Sequence, residues 1–462
     1  MMVGRKLIKG FNLSKRAQED SGFMEVETQD EIGSFRAWVN WAICVLFVVL
    51  EITLLTGYAI TNIYVAKDLS LTIAQVGLIG TIYTWVFAIT QLASGPILDR
   101  FGTRWVLPIA CLIVSAGAFL FANSTSPTML IVANILAAVG SSFGFIGAGF
   151  VGRHWFEPIK YGLMFSLVQF FAALSAIAGQ RILGALVVDV PWDQLINGLA
   201  FIGVIISVLM VLFLREPEKA GFQNSKWEGL KPFGETLMDS LARVASIRDT
   251  WINALIGGVT MGTMLGLGVI WGPRVLIAGG MEPGEAFTVS SLAWAGLAFG
   301  SPAFAWLSDT MRSRVKPMAI GCALQMIAII IVIAYPQASS FESSILFFIF
   351  GFMAGGSMLP FTIGSELVPA SLIGTSAAVV NAVQFIVGGI MMVVPGRVLE
   401  GTGLIARIHE KPLGTELAPS INIFPDYQWA LLIMPGTLAI ALVLCLFLKE
   451  TYPVTIAGVR GR

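Results

Sequence analysis

Long apolar runs make up most of this chain, so the few ionisable side chains inside them are the ones placed to do chemistry. Glu51 stands in Val48-Val49-Leu50-Glu51-Ile52-Thr53, thirteen residues after Trp38. A carboxyl group in the middle of such a run costs at least about 2.5 kcal/mol unless it faces a polar cavity or a partner, and its chemistry there is to bind and release a proton. The alternative role is a structural hydrogen bond to a neighbouring helix. Arg181, in Ala178-Gly179-Gln180-Arg181-Ile182-Leu183, carries a planar fork suited to a carboxylate, either that of a solute or that of Glu51. It is equally able to snorkel outward past Val188. Glu366 closes another run, where an acid can bind basic loops, and Arg274 follows Trp271-Gly272-Pro273 at the mouth of a third.

The elements that position these groups follow from composition. Hydrophobic residues make up 56% of the chain, charged residues 12%, and the mean hydropathy is +0.82. Soluble domains carry about 25% charge, so this is a membrane composition. Twelve apolar spans follow, roughly 38–65, 73–98, 105–123, 129–152, 161–188, 195–214, 251–274, 285–307, 317–335, 344–365, 372–396 and 428–448. Each is long enough to cross about 30 Å of hydrocarbon as a helix, which makes the expected fold an all-α membrane protein of twelve transmembrane helices. The formal net charge is zero, which gives no electrostatic footprint for nucleic acid. Cys44, Cys111, Cys322 and Cys445 all lie in apolar runs far apart in sequence, and only two histidines, His154 and His409, are present. Neither set makes a metal or disulfide framework, so no metal and no cofactor is expected. No span holds H-E-x-x-H, G-x-S-x-G or paired carboxylates, which argues against an enzyme.

Two short charged knots interrupt the runs. The first is Gly95-Pro96-Ile97-Leu98-Asp99-Arg100-Phe101-Gly102-Thr103-Arg104, and about 210 residues later Ala305-Trp306-Leu307-Ser308-Asp309-Thr310-Met311-Arg312-Ser313-Arg314 repeats its Asp-x-x-x-x-Arg spacing. A charged loop repeated at the same place in two halves is the footprint of an internally duplicated transporter. Other pairs agree: Trp38-Val39-Asn40 with Trp251-Ile252-Asn253, and Phe156-Glu157-Pro158 then Gly162 with Glu366-Leu367-Val368-Pro369 then Gly374-Thr375. The expected organisation is a polar tail at 1–37, a six-helix bundle at 38–214, a linker at 215–250 with an amphipathic helix around Phe233 to Ile247, a second bundle at 251–448 and a tail at 449–462. The loop of about 30 residues before Trp429, with Arg407, His409 and Glu410, has no counterpart in the first half and should cap the outer face. The tails and the loops on the knot side hold 22 of the 28 Lys and Arg residues, which places both termini in the cytoplasm by the positive-inside rule.

The first knot resembles the signature loop of the major facilitator superfamily, G-x-x-x-D-R-x-G-x-R, matching it at Gly95, Asp99, Arg100, Gly102 and Arg104. The second copy departs from it at Ala305, Thr310 and Arg312. The resemblance implies two pseudo-symmetric six-helix bundles around a midplane site, in a bacterial solute-importer-like protein of the inner membrane. In that family the loop braces the halves on the cytoplasmic side, so Arg153, Asp309, Arg314 and Glu366 join the first knot as expected gate residues. The segment Gly152-Arg153-His154-Trp155-Phe156-Glu157-Pro158-Ile159-Lys160-Tyr161-Gly162 is similar to the family's helix 4–5 junction R-W-F-x-x-x-x-R-G, with His154 inserted and Tyr161 where Arg is usual; an interfacial anchoring turn explains the same residues.

In the family, helices 1, 4, 7 and 10 line the cavity, which makes Tyr58, Asn134, Asn253, Trp271 and Thr362 candidate substrate contacts. Gln169, Asn381 and Gln384 add polar groups from flanking helices, and Arg181 is the candidate anion ligand. Together they suit a small polar solute between aromatic walls. The expected partners are that small-molecule substrate, a coupling proton carried by Glu51 and the lipid bilayer, with the protein as a monomer. Proton-driven uptake is the first expectation. Efflux of amphipathic compounds or of siderophore-type chelates is the second, although Ala172 to Gly184 lacks the Pro of the drug-antiporter run G-x-x-x-G-P-x-x-G-G. A membrane receptor that does not transport is the third.

Overall fold

The computed structural model describes residues 32–71, 73–217, 230–335, 339–401 and 424–453, and every regular element among them is a helix. The first bundle contains α1 (Phe35–Asp68), α2 (Ile73–Phe101), α3 (Val106–Ala122), α4 (Pro127–Ser141 continuing as Gly144–Trp155), α5 (Tyr161–Leu186) and α6 (Trp192–Phe213). A linker helix, Leu230–Ala245, follows. The second bundle contains α7 (Arg248–Leu265, running on through Gly266–Trp271 to Gly272–Ala278), α8 (Pro283–Met311), α9 (Val315–Ala334), α10 (Ser340–Ala354, then Gly355–Met358 and Leu359–Leu367), α11 (Ile373–Gly401) and α12 (Phe424–Leu431 and Ile433–Cys445). Ten of the twelve are long and apolar enough to cross a membrane; α3 is shorter, and α8 dilutes its apolar run with Gly, Ser and Thr. The chain is a multi-pass membrane protein. The expected cap around Arg407, His409 and Glu410, most of the 1–37 tail and the end of the 449–462 tail lie outside the described residues.

Local signals set the helix ends. Ser34 and Ser126 accept the amides of Ala37 and Met129, and Ser339 forms a reciprocal box with Glu342. Inside the membrane the breaks in α4 and α10 fall in matching helices, whereas that in α7 has no counterpart in the continuous α1. α4 is interrupted at Ser142–Phe143, α10 tightens over Gly355–Met358, and α7 widens over Gly266–Trp271. Such departures from regular helix are tolerated at membrane depth where neighbouring helices cover them.

Each bundle has its own core. Phe47, Val48, Leu107 and Phe150 anchor the first, and Met264, Leu297, Ile329 and Phe347 anchor the second. The cysteines are buried free thiols, and folding brings Cys322 of α9 against Cys445 of α12 although 122 positions separate them in sequence. The linker helix lays Leu241 and Val244 on Leu92 of α2, on Leu372 just before α11 and on Val379 of α11, so its apolar stripe straddles the line where the bundles meet.

A second repeat, Phe213-Leu214-Arg215-Glu216 and Phe447-Leu448-Lys449-Glu450, lies just past the last helix of each bundle and was not among the pairs read from the sequence. Glu216 accepts the Thr103 amide, the Thr103 hydroxyl at 2.9 Å and the Arg104 amide at 2.9 Å. Glu450 accepts the Ser313 hydroxyl, the Arg314 amide at 2.8 Å and the Tyr452 amide at 3.1 Å. Each acid thus sits at the start of the third helix of its bundle, where unpaired amides favour negative charge. At Glu450 burial pushes the carboxyl up, but the bonds from Ser313, Arg314, Tyr452 and Val315 outweigh it and hold the group below the usual carboxylate range. Its stabilising contribution is therefore complete at neutral pH and is lost as pH falls through that lowered value. Glu450→Gln should lower Tm at neutral pH, and a thermal melt series should show the gap from wild type closing at acid pH.

The knots also differ in backbone strain. Gly102 has φ +71°, and Arg312, its counterpart in the second knot, is forced to φ +48°. A left-handed residue with a Cβ costs roughly 1–2 kcal/mol, partly offset by the greater chain entropy that glycine loses on folding. Arg312→Gly should therefore be neutral to stabilising by up to about 1 kcal/mol, read as a Tm no lower than wild type.

Candidate functional site

The bundles meet along two pairs of helices, α2 against α11 and α5 against α8. At the face that carries the two knots and the linker helix, called here the charged face, the seam is sealed. Gly95 of α2 lies so close to α11 that a Cβ on it would stand 2.2 Å from the Gly374 carbonyl oxygen, so any larger residue would force the helices apart. One turn on, Asp99 accepts the Gly374 amide at 2.7 Å, the Thr375 amide at 2.7 Å and the Thr375 hydroxyl at 2.6 Å. A carboxylate on the first amides of a helix is a favourable pairing of charge with dipole, and this one joins the two bundles.

The second knot does not mirror that contact. Arg314, 1% exposed, gives its guanidinium to Asp309 at 2.8 Å and to Glu366 at 3.1 Å, and stacks over Tyr452. Thr451 bonds the other oxygen of Glu366 at 2.5 Å. Asp309 is therefore held inside its own bundle, and Leu163 stands where Thr375 stands in the other half, with no hydroxyl to offer. Arg104 lies over Trp105 and Arg100 over Phe101, while Arg153 makes no ion pair among the described residues. The knots are alike in sequence and unlike in use.

Behind the charged contact lies a plug of rings that sequence reading did not single out. Phe165 of α5 stacks on Phe361 of α10 at 4.3 Å between centroids, and Phe145 of α4 meets both, at 5.1 and 5.8 Å. Only the position of Phe361 next to Pro360 in the interrupted α10 marks it in sequence. Toward the opposite face the first halves of α4 and α10 pack mainly inside their own bundles, and α1 and α7 have no extensive contact across the seam. The described structure is closed at its charged face.

Glu51 is 4% exposed, near the middle of α1. Its carboxyl lies against the break in α4, where a Cβ on Gly144 would stand 2.2 Å from Oε2. That oxygen has no hydrogen-bond partner, and no cation pairs with the group among the described residues. An ionised carboxylate buried without a partner costs several kcal/mol, a cost that the neutral acid avoids. Arg181 is exposed near the far end of α5 and makes no ion pair with Glu51.

The remaining candidates fall into groups. Tyr58 and Asn134 line a cavity of about 60 Å³ within the first bundle, Asn134 also donating to the Ile79 carbonyl at 3.3 Å. Asn253 donates to the Pro360 carbonyl at 2.8 Å and Gln384 to the Ser357 carbonyl at 2.9 Å, so both tie α10 at its break. Thr362 faces Gly162 across the seam, with its hydroxyl unpaired. Asn381 is buried with an unpaired amide nitrogen, and Gln169 is buried one turn beyond Phe165. Trp271 stands apart: its indole bonds the Met391 carbonyl at 3.0 Å under Arg274, pinning α7 to α11.

The architecture is that of solved twelve-helix proton symporters. The chain superposes on the proton:xylose symporter XylE with TM-score 0.68 and 14% identity, over 90% of this chain and 96% of that one. For the E. coli fucose:proton symporter FucP the values are 0.64, 17%, 89% and 98%. Residues 41–392 match the Major Facilitator Superfamily, and the chain belongs to that family. Among curated relatives it is 26% identical to the uncharacterized transporter YybO of Bacillus subtilis over 36% of this chain and 41% of that protein. It is 25% identical to the probable galactarate/D-glucarate transporter GudP of Bacillus subtilis over 39% and 42%. It is 27% identical to the efflux pump aflT of Aspergillus parasiticus over 35% and 32%. The matched segments thus span less than half the length of these relatives.

The seam contact is open to direct measurement. Thr375→Val keeps the shape and removes one bond to a charged group, about 1.5 kcal/mol or roughly tenfold in the closed-to-open ratio. With a cysteine at Ala378, labelling by a membrane-impermeant maleimide should rise in Thr375→Val and more in Asp99→Ala. Equal labelling in all three backgrounds would show that Asp99 does not hold the bundles together.

Proposed function

We propose that this protein is a secondary transporter that takes up a small polar or anionic solute together with a proton by alternating access, with Glu51 as the proton carrier. The observation that carries the reading is the buried, cation-free carboxyl of Glu51 at the α4 break. Neutralised by a proton it suits its surroundings; ionised it does not, so loading and release of the proton can bias which arrangement of the bundles is stable. Buried, under-satisfied amides and hydroxyls on α10 and α11, at Thr362 and Asn381, are the polar groups nearest the seam for a solute. The resemblance to GudP favours a sugar acid.

The charged face is read as cytoplasmic from its excess of Lys and Arg, which places both termini inside, in the inner membrane, and makes the described arrangement the one closed to the cytoplasm. Efflux of amphipathic compounds is the second reading, favoured by the similarity to aflT. In proteoliposomes with an inward proton gradient, wild type should accumulate labelled D-glucarate, and Glu51→Gln should lose gradient-driven accumulation while keeping exchange of labelled for unlabelled solute. Accumulation unchanged in Glu51→Gln would remove Glu51 from the mechanism. Gradient-driven expulsion of an amphipathic dye with no D-glucarate uptake would establish the second reading.

A further inference from the structure

A proton carrier that is 4% exposed needs a route for its proton, and the seam between the bundles is not the only candidate. The cavity of about 60 Å³ described above is lined entirely by α1, α2, α3, α4 and α6 of the first bundle. Its register against Glu51 is consistent on three helices. Leu54 and Leu55 line it from α1, three and four residues past Glu51. Val114 lines it from α3, three residues past Cys111, which lies near Glu51. Ser141 lines it from α4, three residues before Gly144, which touches the carboxyl. The floor of the cavity is therefore one helical turn from the Glu51 carboxyl on every side from which the helices can be read.

Two hydroxyls line this space, the Tyr83 phenol from α2 and that of Ser141, one turn before Gly144 on α4. Higher up, the Tyr58 phenol and the Asn134 amide line the same space, and Leu55 on its α1 wall is 40% exposed. A cavity of this size with several polar groups has room for a short file of water. The titratable groups facing Glu51 are Tyr83 from α2 and Cys111 from α3; among the described residues α4, α5 and α6 bring no charged or titratable group against it.

We propose that Glu51 exchanges its proton through this cavity within the first bundle, with the Tyr83 and Ser141 hydroxyls as the last relay, and not along the seam. Water in the cavity delivers a proton to a hydroxyl oxygen as that hydroxyl passes its own proton to the carboxylate, so one O–H bond forms for each that breaks and no charge remains on the relay. The return runs in reverse. Such a route lets the proton and the solute use separate paths to one protein. The proposal rests on the reading of Glu51 as proton carrier.

The experiment follows the carboxyl itself and needs no substrate. In purified protein in liposomes, infrared difference spectra between acid and alkaline buffer should contain a protonated-carboxyl band that Glu51→Gln deletes, and its shift on transfer to D2O times proton exchange. Tyr83→Phe with Ser141→Ala keeps the shape of both sites and should slow that exchange at least tenfold. Ala137→Leu, which fills the cavity, should slow it as well. Gln91→Leu alters the seam, one turn from both Phe87 and Gly95, and should leave the rate unchanged. An unchanged rate in the Tyr83/Ser141 double variant, or slowing in Gln91→Leu alone, would overturn the route while leaving Glu51 as carrier. Absence of any titrating band deleted by Glu51→Gln would overturn the carrier reading itself.

Discussion

Two bundles of apolar helices in a bilayer have little hydrophobic reason to hold each other, because lipid tails are as apolar as the helix faces. What binds them here is close backbone approach and a few charged hydrogen bonds. At Gly95 and Gly374 the absence of side chains lets α2 and α11 touch, and one turn later Asp99 takes three hydrogen bonds from the start of α11. The linker helix lies over that junction, and the Phe145, Phe165 and Phe361 rings fill the space behind it. A contact made of a few polar bonds can be broken and remade, which a continuous apolar interface could not.

The second knot explains why, among the described residues, one knot and not both reaches across the seam. Arg314 is almost fully buried and uses its fork on Asp309 and Glu366, both in its own bundle. Glu450 then holds the backbone of the same loop. The duplicated element has been turned inward, into a brace for the second bundle, while its sibling reaches across. Arg312 in a left-handed backbone, where the first copy has Gly102, shows that the shape of the loop was kept after its residues diverged.

Glu51 belongs to the same division of labour. Its counterpart in the second bundle is Met264, fully buried in an apolar core, so the two bundles differ at this matched position. The second bundle contributes amides and hydroxyls around the interrupted α10, several of them without a full set of partners. The buried carboxyl lies in one bundle and these under-satisfied polar groups in the other, and the seam joins the two.

Much of this was legible in one dimension. Twelve helices and their duplication follow from apolar length and from residues repeated at matched spacing, since a helix in lipid must satisfy its own backbone and so depends on little beyond its own segment. The isolation of Glu51 in an apolar run was equally plain. The repeat ending in Glu216 and Glu450 was readable too, but its meaning was not, because each acid acts on a loop more than a hundred residues away. Sequence pattern placed both Asp99 and Asp309 among the gate residues, although the second knot departs from the signature, and grouped Trp271 with cavity-lining candidates. Only the tertiary structure decided that Asp99 crosses to α11 while Asp309 does not, and that Trp271 pins α7 to α11. The reason is physical: local composition determines whether a segment spans the membrane, whereas the partner of a polar side chain depends on which helix the packing brings within about 3 Å of it.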